Sequence, residues 1–343
     1  MKRKPIVGIP RALSFYTFYP LWRAFLENLG AEVILSSATN RDILEDGISE
    51  TVNDACIPIK VFHGHVIDLA ERADYLFVPR MISADGVSTY CPKFLGLPDM
   101  IRFVGRPLPP IIDARYNLQG FPGGQFRFFR TVAGQLGIKN PFKVYAAGLA
   151  ALARHRRYMG LLQKGVDPLQ ASGAVLENKP YRARTSMAST NPGEELKLTV
   201  ALLGYPYAVF DPYINAGIYD RLNKMGIDVI TFEMIPEREL KRMSRTIPQS
   251  FFWYYSNQVC WAGLYLLENK EIVDGIIHVT AFGCGPDAMV DKLLELEAKQ
   301  AKVPFISLSI DEHTGEGGVQ TRLEAFTDML RFRKTKQEAA VNR

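Results

Sequence analysis

The 343-residue sequence lacks the features that mark several classes of protein. Its apolar runs are far shorter than the roughly 18 residues that a membrane-spanning helix needs. It has only 4 cysteines, and no two of them have the CxxC spacing of zinc and thioredoxin-like sites. It contains neither a P-loop nor the zinc-finger and RNP patterns of nucleic-acid-binding modules. These absences predict a globular, cytoplasmic protein without disulfides, with no membrane or nucleic acid as its partner.

The charge is moderately basic, because 41 lysines and arginines face 36 acidic residues and give a net charge of +5. Much of the excess lies in two stretches, residues 154–165 and 331–343. These stretches are either solvated helix faces or a basic groove for an anionic substrate or cofactor, and the sequence leaves both interpretations open.

The chain contains an internal repeat, with copies that begin at residues 5 and 198. Each copy has a Gly-x-Pro turn after an apolar strand and a second glycine 22 residues later, where a helix-like run ends. The two glycines are Gly8 and Gly30 in the first copy, and Gly204 and Gly226 in the second. This arrangement predicts a βαβ unit in each copy.

Two later strands continue each copy. Asp74 and Asp274 open the third strands (73–80 and 273–282), and a proline opens each fourth strand (109–116 and 303–315). We therefore predict an α/β protein with two duplicated Rossmann-like, doubly wound parallel-sheet domains that face a central cleft. The predicted boundaries are 1–177 for the N-terminal domain with its helical extension, 178–196 for the linker and 197–343 for the C-terminal domain.

The four cysteines fall at related places in the two copies. Cys91 and Cys284 follow the third strands, whereas Cys56 and Cys260 lie in comparable stretches before them. Ligands bind at the carboxyl ends of the strands in such sheets, and a helix N-terminus favours a thiolate. If the domains face each other, these thiols converge, and four sulfurs beside glycines and prolines suit an iron–sulfur cluster.

Gly283 and Gly285 flank Cys284 and would let backbone amides approach the sulfides of such a cluster. For Cys260, which adjoins Trp261 in an amphipathic helix, a core thiol and a ligand are equally good interpretations. A zinc site or a nucleophilic cysteine also stays open.

Other polar residues are candidates for the same site. Asp311, Glu312 and His313 stand in a row after the last strand, where they would serve as acid–base or supporting groups. Thr321 is predicted to cap the helix that follows, with Glu324 in the capping-box position. Arg11 and Arg80 each follow a strand of the first copy, and they either bind anionic groups or pair with carboxylates.

The motifs taken together resemble the 2-hydroxyacyl-CoA dehydratase-like family, in its acyl-CoA dehydratase activase-related (CoA-activase-associated) branch. The resemblance runs from about Gly8 to Asp328. The motifs that carry it are VGIPRAL, ACIPIKVFHGHV, YCPKFLGLPDMI, FGCGPDAM and IDEHTGEGGVQTRLEAF.

The resemblance implies a 4Fe-4S cluster that Cys56, Cys91 and Cys284 hold in the cleft. It implies that an ATP-hydrolysing activator supplies low-potential electrons for radical chemistry on an acyl-CoA-like or other small anionic substrate. The chain would then be a dehydratase-like lyase or the component of an ATP-dependent reductase, working as a homodimer or with a paralogous subunit.

The sequence departs from the full enzyme system in two ways. It has no recognisable ATPase segment, and it carries one dehydratase-like unit where the enzymes use two subunits. Two alternatives therefore stand beside the redox enzyme: a non-catalytic, cluster-carrying partner or electron store of the activator, and a zinc-containing or metal-free α/β protein that binds small molecules.

Overall fold

The computed structural model describes residues 3–120, 123–183, 198–247 and 250–341. The chain divides into two compact units. The first unit comprises Met1–Gly160, Pro168–Tyr181 and Phe251–Tyr255, and the second comprises Leu161–Asp167, Arg182–Ser250 and Ser256–Arg343. Residues 184–196 of the predicted linker lie outside the described residues, so the linker stays a prediction.

The first unit is built on a parallel four-stranded sheet in the order β2-β1-β3-β5, with a two-stranded parallel ladder of β4 and β6 beside it. Its strands are β1 (Ile6–Ile9), β2 (Glu32–Leu35), β3 (Tyr75–Phe77), β4 (Arg80–Ser83), β5 (Ile111–Ile112) and β6 (Arg115–Asn117). Its helices are α1 (Phe15–Leu29), α2 (Arg41–Ser49), α3 (Ile57–Leu69), α4 (Pro92–Arg102), α5 (Gly124–Gln135), α6 (Pro141–Leu162, whose last residues enter the second unit) and α7 (Pro168–Leu176).

The predicted third and fourth strands of this unit are each divided in two. The proline at position 79 has no N–H to donate, and it separates β3 from β4. The backbone bonds continue on both sides of it, from Val78 N–H to the Ile112 carbonyl and from Arg80 N–H to the Ala114 carbonyl. The single strands predicted at 73–80 and 109–116 are therefore wrong in detail, although their pairing is parallel, as predicted.

The second unit has one parallel sheet in the order β10-β9-β7-β8. Its strands are β7 (Thr199–Gly204), β8 (Asp228–Ile230), β9 (Gly275–Ala281) and β10 (Phe305–Ile310). Its helices are α8 (Pro206–Phe210), α9 (Ile218–Lys224), a 3-10 turn (Phe232–Met234), α10 (Glu237–Met243), α11 (Tyr254–Glu268, which begins in the first unit), α12 (Gly285–Ala301) and α13 (Glu316–Val341). The core lies around β9, all seven residues of which are buried.

The two sheets have the same topology. In chain order within each copy, the strands lie second, first, third and fourth, and every strand pair is parallel. Helices connect the strands, as a parallel sheet requires. The predicted fold class, two duplicated Rossmann-like parallel α/β units, is confirmed.

An aspartate fixes the start of the first strand in both copies. The Asp74 carboxylate accepts a hydrogen bond from Ile6 N–H at 2.8 Å, and the Asp274 carboxylate accepts one from Thr199 N–H at 2.8 Å. Arg3 pairs with the former and Lys334 with the latter. Because each carboxylate precedes the third strand, it fixes the register of that strand against the first.

Helix ends also repeat between the copies. Gly30 closes α1 with a φ of 98°, and Gly226 follows α9 with a φ of 72°. Both are left-handed conformations that glycine adopts without a steric penalty. The last helix differs from its prediction, since it begins at Glu316 and places Thr321 inside its second turn, where the hydroxyl donates to the Gly317 carbonyl.

None of the helices in the described residues combines the length and the apolar character that a bilayer span requires.

Candidate functional site

Three of the four cysteines occupy the N-cap position of a helix. Cys56 precedes α3, Cys91 precedes α4 and Cys284 precedes α12, each with extended backbone angles and a proline at the first or second helical position. The first turn of a helix has N–H groups without intrahelical acceptors, and the helix dipole is positive there. All three sulfurs therefore sit where a negative charge is stabilised.

Cys56 and Cys91 influence each other within the first unit. Burial raises the pKa of both thiols, and the negative charge of the Cys56 thiolate raises the pKa of Cys91 further. The ammonium of Lys93 opposes these effects, as do the backbone N–H groups of Ile59 and Phe94. Two sulfurs thus share one electrostatic environment with a lysine beside them.

Two glycines surround Cys284 in the second unit. Gly283 has a φ of 74°, so the turn after β9 requires glycine. The backbone of Gly285 is not in this left-handed region. A Cβ added at either glycine would meet no other described atom within 4 Å, chain neighbours aside. The space beside the cysteine is therefore open on the side where these two residues lack side chains.

A buried histidine on β9 forms ion pairs with the helix that follows Cys284. His278 lies on β9 and is fully buried. Its Nδ1 is 2.6 Å from an oxygen of Asp291, and its Nε2 is 3.3 Å from an oxygen of Asp287. Burial opposes protonation, but the two carboxylates outweigh it and raise the pKa of His278 to about 9. An imidazolium between two carboxylates therefore joins α12 to the central strand.

Cys260 has a different environment. It lies inside α11 with no exposed surface, away from the helix N-terminus. Burial, together with the charge of Glu297, raises the pKa of Cys260 to about 12. The structure therefore gives this thiol the setting of a core residue.

The two arginines singled out by the sequence differ in their partners. Arg80 donates two parallel hydrogen bonds to the Asp99 carboxylate, at 2.7 and 2.9 Å, and a third to the Leu95 carbonyl. Arg11 has no carboxylate within ion-pair distance among the described residues, and its guanidinium lies 6.0 Å from the centre of the Phe15 ring. Arg80 thus forms an ion pair within the fold, whereas the charge of Arg11 is available to a bound anion.

The acidic turn after β10 is organised by its own hydrogen bonds. The Asp311 carboxylate accepts bonds from the Thr314 hydroxyl at 2.7 Å and from His313 N–H at 3.0 Å. The Thr314 hydroxyl is the main cause that lowers the pKa of Asp311. Glu312 is half-buried in the same turn, while the His313 side chain is exposed.

Sequence reasoning missed Lys93 and the two aspartates that hold His278. Lys93 stands two residues after Cys91, and a cation at that spacing from a helix-capping cysteine is the sequence signal that could have identified it. Asp287 and Asp291 are four residues apart on α12, which is also the pattern of a solvated helix face. The burial of Asp287 and the contact of both carboxylates with His278 distinguish them, and neither shows in the sequence.

Within the described residues, no three His, Cys, Asp or Glu side chains form a group that could hold a metal ion. The local chemistry nevertheless fits a cluster ligand at three positions. Cys56, Cys91 and Cys284 take part in no disulfide and share the same capping geometry; Cys56 and Cys91 belong to the first unit and Cys284 to the second.

Comparisons with known proteins agree with these motifs. No curated protein matches the chain. Residues 264–330 match the 2-hydroxyglutaryl-CoA dehydratase, D-component, family. Residues 6–235, about two thirds of the chain, match the family described as the CoA enzyme activase uncharacterised domain. The resemblance to the 2-hydroxyacyl-CoA dehydratase-like proteins is confirmed, and the protein belongs to the CoA enzyme activase uncharacterised domain family.

Proposed function

We propose that the protein is an iron–sulfur redox protein in which Cys56, Cys91 and Cys284 hold a 4Fe-4S cluster. The observation that carries the proposal is the geometry that these three thiols share, an N-cap followed by proline. A metal-free α/β fold has no need to place a cysteine at the same point of three helices. We assign Cys260 to the core, because it is buried in mid-helix.

Each residue of the proposed site has a definite task. The thiolates supply the ligands, and the backbone N–H groups of the first helical turns donate toward sulfur and stabilise its negative charge. Lys93 adds a positive charge beside Cys56 and Cys91. Gly285 leaves room for backbone amides to approach. When bound, a 4Fe-4S cluster supplies one-electron chemistry at low potential.

The family matches support the proposed partners. We propose that an ATP-hydrolysing activator delivers the electron, because the chain belongs to a CoA enzyme activase family and lacks a P-loop of its own. The match to a dehydratase component supports an acyl-CoA-like or other small anionic substrate, and Arg11 is the side chain that we assign to its anionic group. A homodimer or a paralogous subunit would complete the assembly. We place this chemistry in the cytoplasm, where free thiols persist.

A second candidate is a non-catalytic electron store of the activator. The turn after β10 favours it, because Asp311 is committed to hydrogen bonds with Thr314 and His313 and its pKa is lowered. A carboxylate held in this state is a poor proton donor near neutral pH. On this second candidate, Asp311 does not act as a proton donor, whereas the three cysteines keep the role of cluster ligands.

Iron and sulfide analysis of the anaerobically purified chain tests the cluster. We expect about four irons per chain and a visible absorbance that dithionite bleaches. Cys56→Ser, Cys91→Ser and Cys284→Ser should each lower the iron content strongly. Cys260→Ala is the matched control, and it should keep the cluster. Iron-free wild-type protein, or equal loss in all four variants, would refute the proposal.

Turnover separates the two candidates. The cluster-loaded chain is mixed with an activator, ATP and a 2-hydroxyacyl-CoA, and the product is followed by chromatography. Product that depends on ATP and on Cys284 supports the enzyme. Reduction of the cluster by the activator without product supports the electron store.

A further inference from the structure

The first unit contains a cavity of about 400 Å³ at the carboxyl ends of β1 and β2. Arg11, which follows β1, and Leu35, which ends β2, both line it. Phe15 and Tyr19 of α1 and Leu169 of α7 also line the cavity. The carboxyl edge of a parallel sheet is where open α/β folds bind ligands, and the volume is typical of a small-molecule pocket.

The charges around this cavity leave one cation unmatched. Arg23 pairs with Glu27 at 2.7 Å and with Glu177 at 2.6 Å, and Lys179 also pairs with Glu177 at 2.6 Å. The lining cations are Arg11, Arg23 and Lys179, and Glu177 is the lining carboxylate. With Glu27, which pairs with Arg23 from outside the lining, a single positive charge is left. Among the described residues, Arg11 is the lining cation without a carboxylate partner.

The groups nearest to Arg11 do not neutralise it. Its backbone N–H donates to the Ser36 hydroxyl, which is uncharged. His65 is also close, and burial together with the charge of Arg11 lowers the pKa of His65 to about 3, so this ring is neutral. The guanidinium is half-buried and faces the Phe15 ring rather than an anion.

The fold itself does not need this cation. The repeat aligns Gly8 with Gly204, and on that register Arg11 corresponds to Tyr207 in the second copy. Tyr207 is buried and uncharged, and it lies within α8, whereas Arg11 lies in the turn before α1. The parallel strand that precedes each residue forms in both copies, with or without the cation. The turn in the first copy is also strained at Leu13, a buried residue with a φ of 53°. Strain of this kind in a non-glycine residue is concentrated at functional sites.

We propose that this cavity binds a monoanionic organic acid, whose carboxylate pairs with Arg11 and whose apolar body lies against Phe15, Tyr19, Leu35 and Leu169. A guanidinium matches a carboxylate through two parallel hydrogen bonds. The single unmatched charge favours a carboxylate over a phosphate dianion, which would need a second free cation. The proposal deepens, and rests on, the anion-binding role of Arg11 in the proposed function, and it needs no cluster.

The test uses the full chain without iron, with hexanoate as the probe and hexanamide as its uncharged counterpart, in a calorimetric titration. We expect hexanoate to bind, and Arg11→Gln to weaken it by about 10- to 100-fold. Arg3→Gln is the matched control, because it also removes one arginine charge, but before β1 rather than after it, where Arg3 pairs with Asp74. This variant should leave hexanoate binding unchanged. Hexanamide should bind more weakly and should not respond to Arg11→Gln.

Arg11→Lys is the second variant, and it keeps the charge while losing the paired hydrogen bonds, so its affinity should fall between those of wild type and Arg11→Gln. Thermal unfolding checks that each variant is folded. Absence of hexanoate binding in the wild type, or equal weakening by Arg11→Gln and Arg3→Gln, overturns the proposal. Either result leaves the iron analysis untouched. If instead the anaerobically purified chain contains no iron but the chain binds hexanoate, the cluster is refuted and the binding of the organic acid is not.

Discussion

The Nδ1 atom of His278 lies 2.6 Å from a carboxylate oxygen of Asp291, and the histidine is buried without exposed surface. With Asp287 on its other side, the ring joins the strand that precedes Cys284 to the helix that follows it. A buried ion pair that loses one member leaves the remaining charges without compensation. The charge state of His278 should therefore govern the stability of the second unit.

We predict that this stability falls as the pH rises. The folded pKa of His278 is about 9, above its ordinary value of 6.5, so its contribution is fully present below pH 6.5 and is lost as the pH rises through about 9. His278→Gln should lose about 3 kcal/mol at neutral pH and should not show this pH dependence. Urea unfolding at several pH values measures both effects, and an unchanged pH dependence in the variant would contradict them.

We predict that Lys93 controls the reactivity of the two cysteines in the first unit. Its charge lowers the pKa of Cys56 and of Cys91, and the thiolate is the form that alkylates. Lys93→Gln in the iron-free chain should slow alkylation of both by iodoacetamide, followed by mass spectrometry. Lys139→Gln, at an exposed position of the same unit, is the control. Equal rates in the two variants would show that Lys93 does not act on the thiols.

We predict that Gly283 and Gly285 have different roles, the first in the stability of the fold and the second in cluster binding. Gly283→Ala should cost about 1–2 kcal/mol, because a φ of 74° is unfavourable for a residue with a Cβ. Gly285→Ala should leave the unfolding free energy of the iron-free chain nearly unchanged, since its Cβ would meet open space. The iron content of Gly285→Ala should nevertheless fall if backbone amides approach the cluster there. Normal iron loading in Gly285→Ala would argue against that approach.

We predict that Asp274 anchors the second sheet. Asp274→Ala removes the acceptor for Thr199 N–H and the partner of Lys334, and it should cost about 2 kcal/mol. Asp274→Asn keeps an acceptor and should cost less. Asp74→Ala repeats the experiment in the first copy. Denaturant unfolding gives the free energies, and a neutral Asp274→Ala would mean that the strand register does not depend on this carboxylate.

Much of the fold could be predicted because the internal repeat shows where strands and turns begin and end. The Gly-x-Pro turns and the aspartates before the third strands recur at matching positions, so each copy supports the interpretation of the other. The division at position 79 was missed because the proline between Val78 and Arg80 does not show from the sequence alone where backbone hydrogen bonding continues. The start of α13 was misplaced because Thr321 and Glu324 match a capping box, yet the glycine-rich segment before them is already helical.

The candidate site could be predicted only in part. The positions of Cys56, Cys91 and Cys284 before helices follow from the chain order of strands and helices. The ion pair of Arg80 with Asp99 and the absence of such a pair at Arg11 among the described residues could not be predicted from the sequence. Which carboxylate reaches a guanidinium is decided by the packing of the folded chain. The same holds for His278, whose two aspartates come from one helix face that sequence patterns assign to solvent.

The paired anchors at Asp74 and Asp274 bear on how such a chain can change over evolutionary time. Each copy carries its own carboxylate that aligns its first and third strands. A duplicated domain of this kind is free to specialise, as the arginine and the tyrosine at equivalent positions 11 and 207 illustrate. A single substitution can then add or remove a binding residue in one copy while both copies keep the same sheet topology.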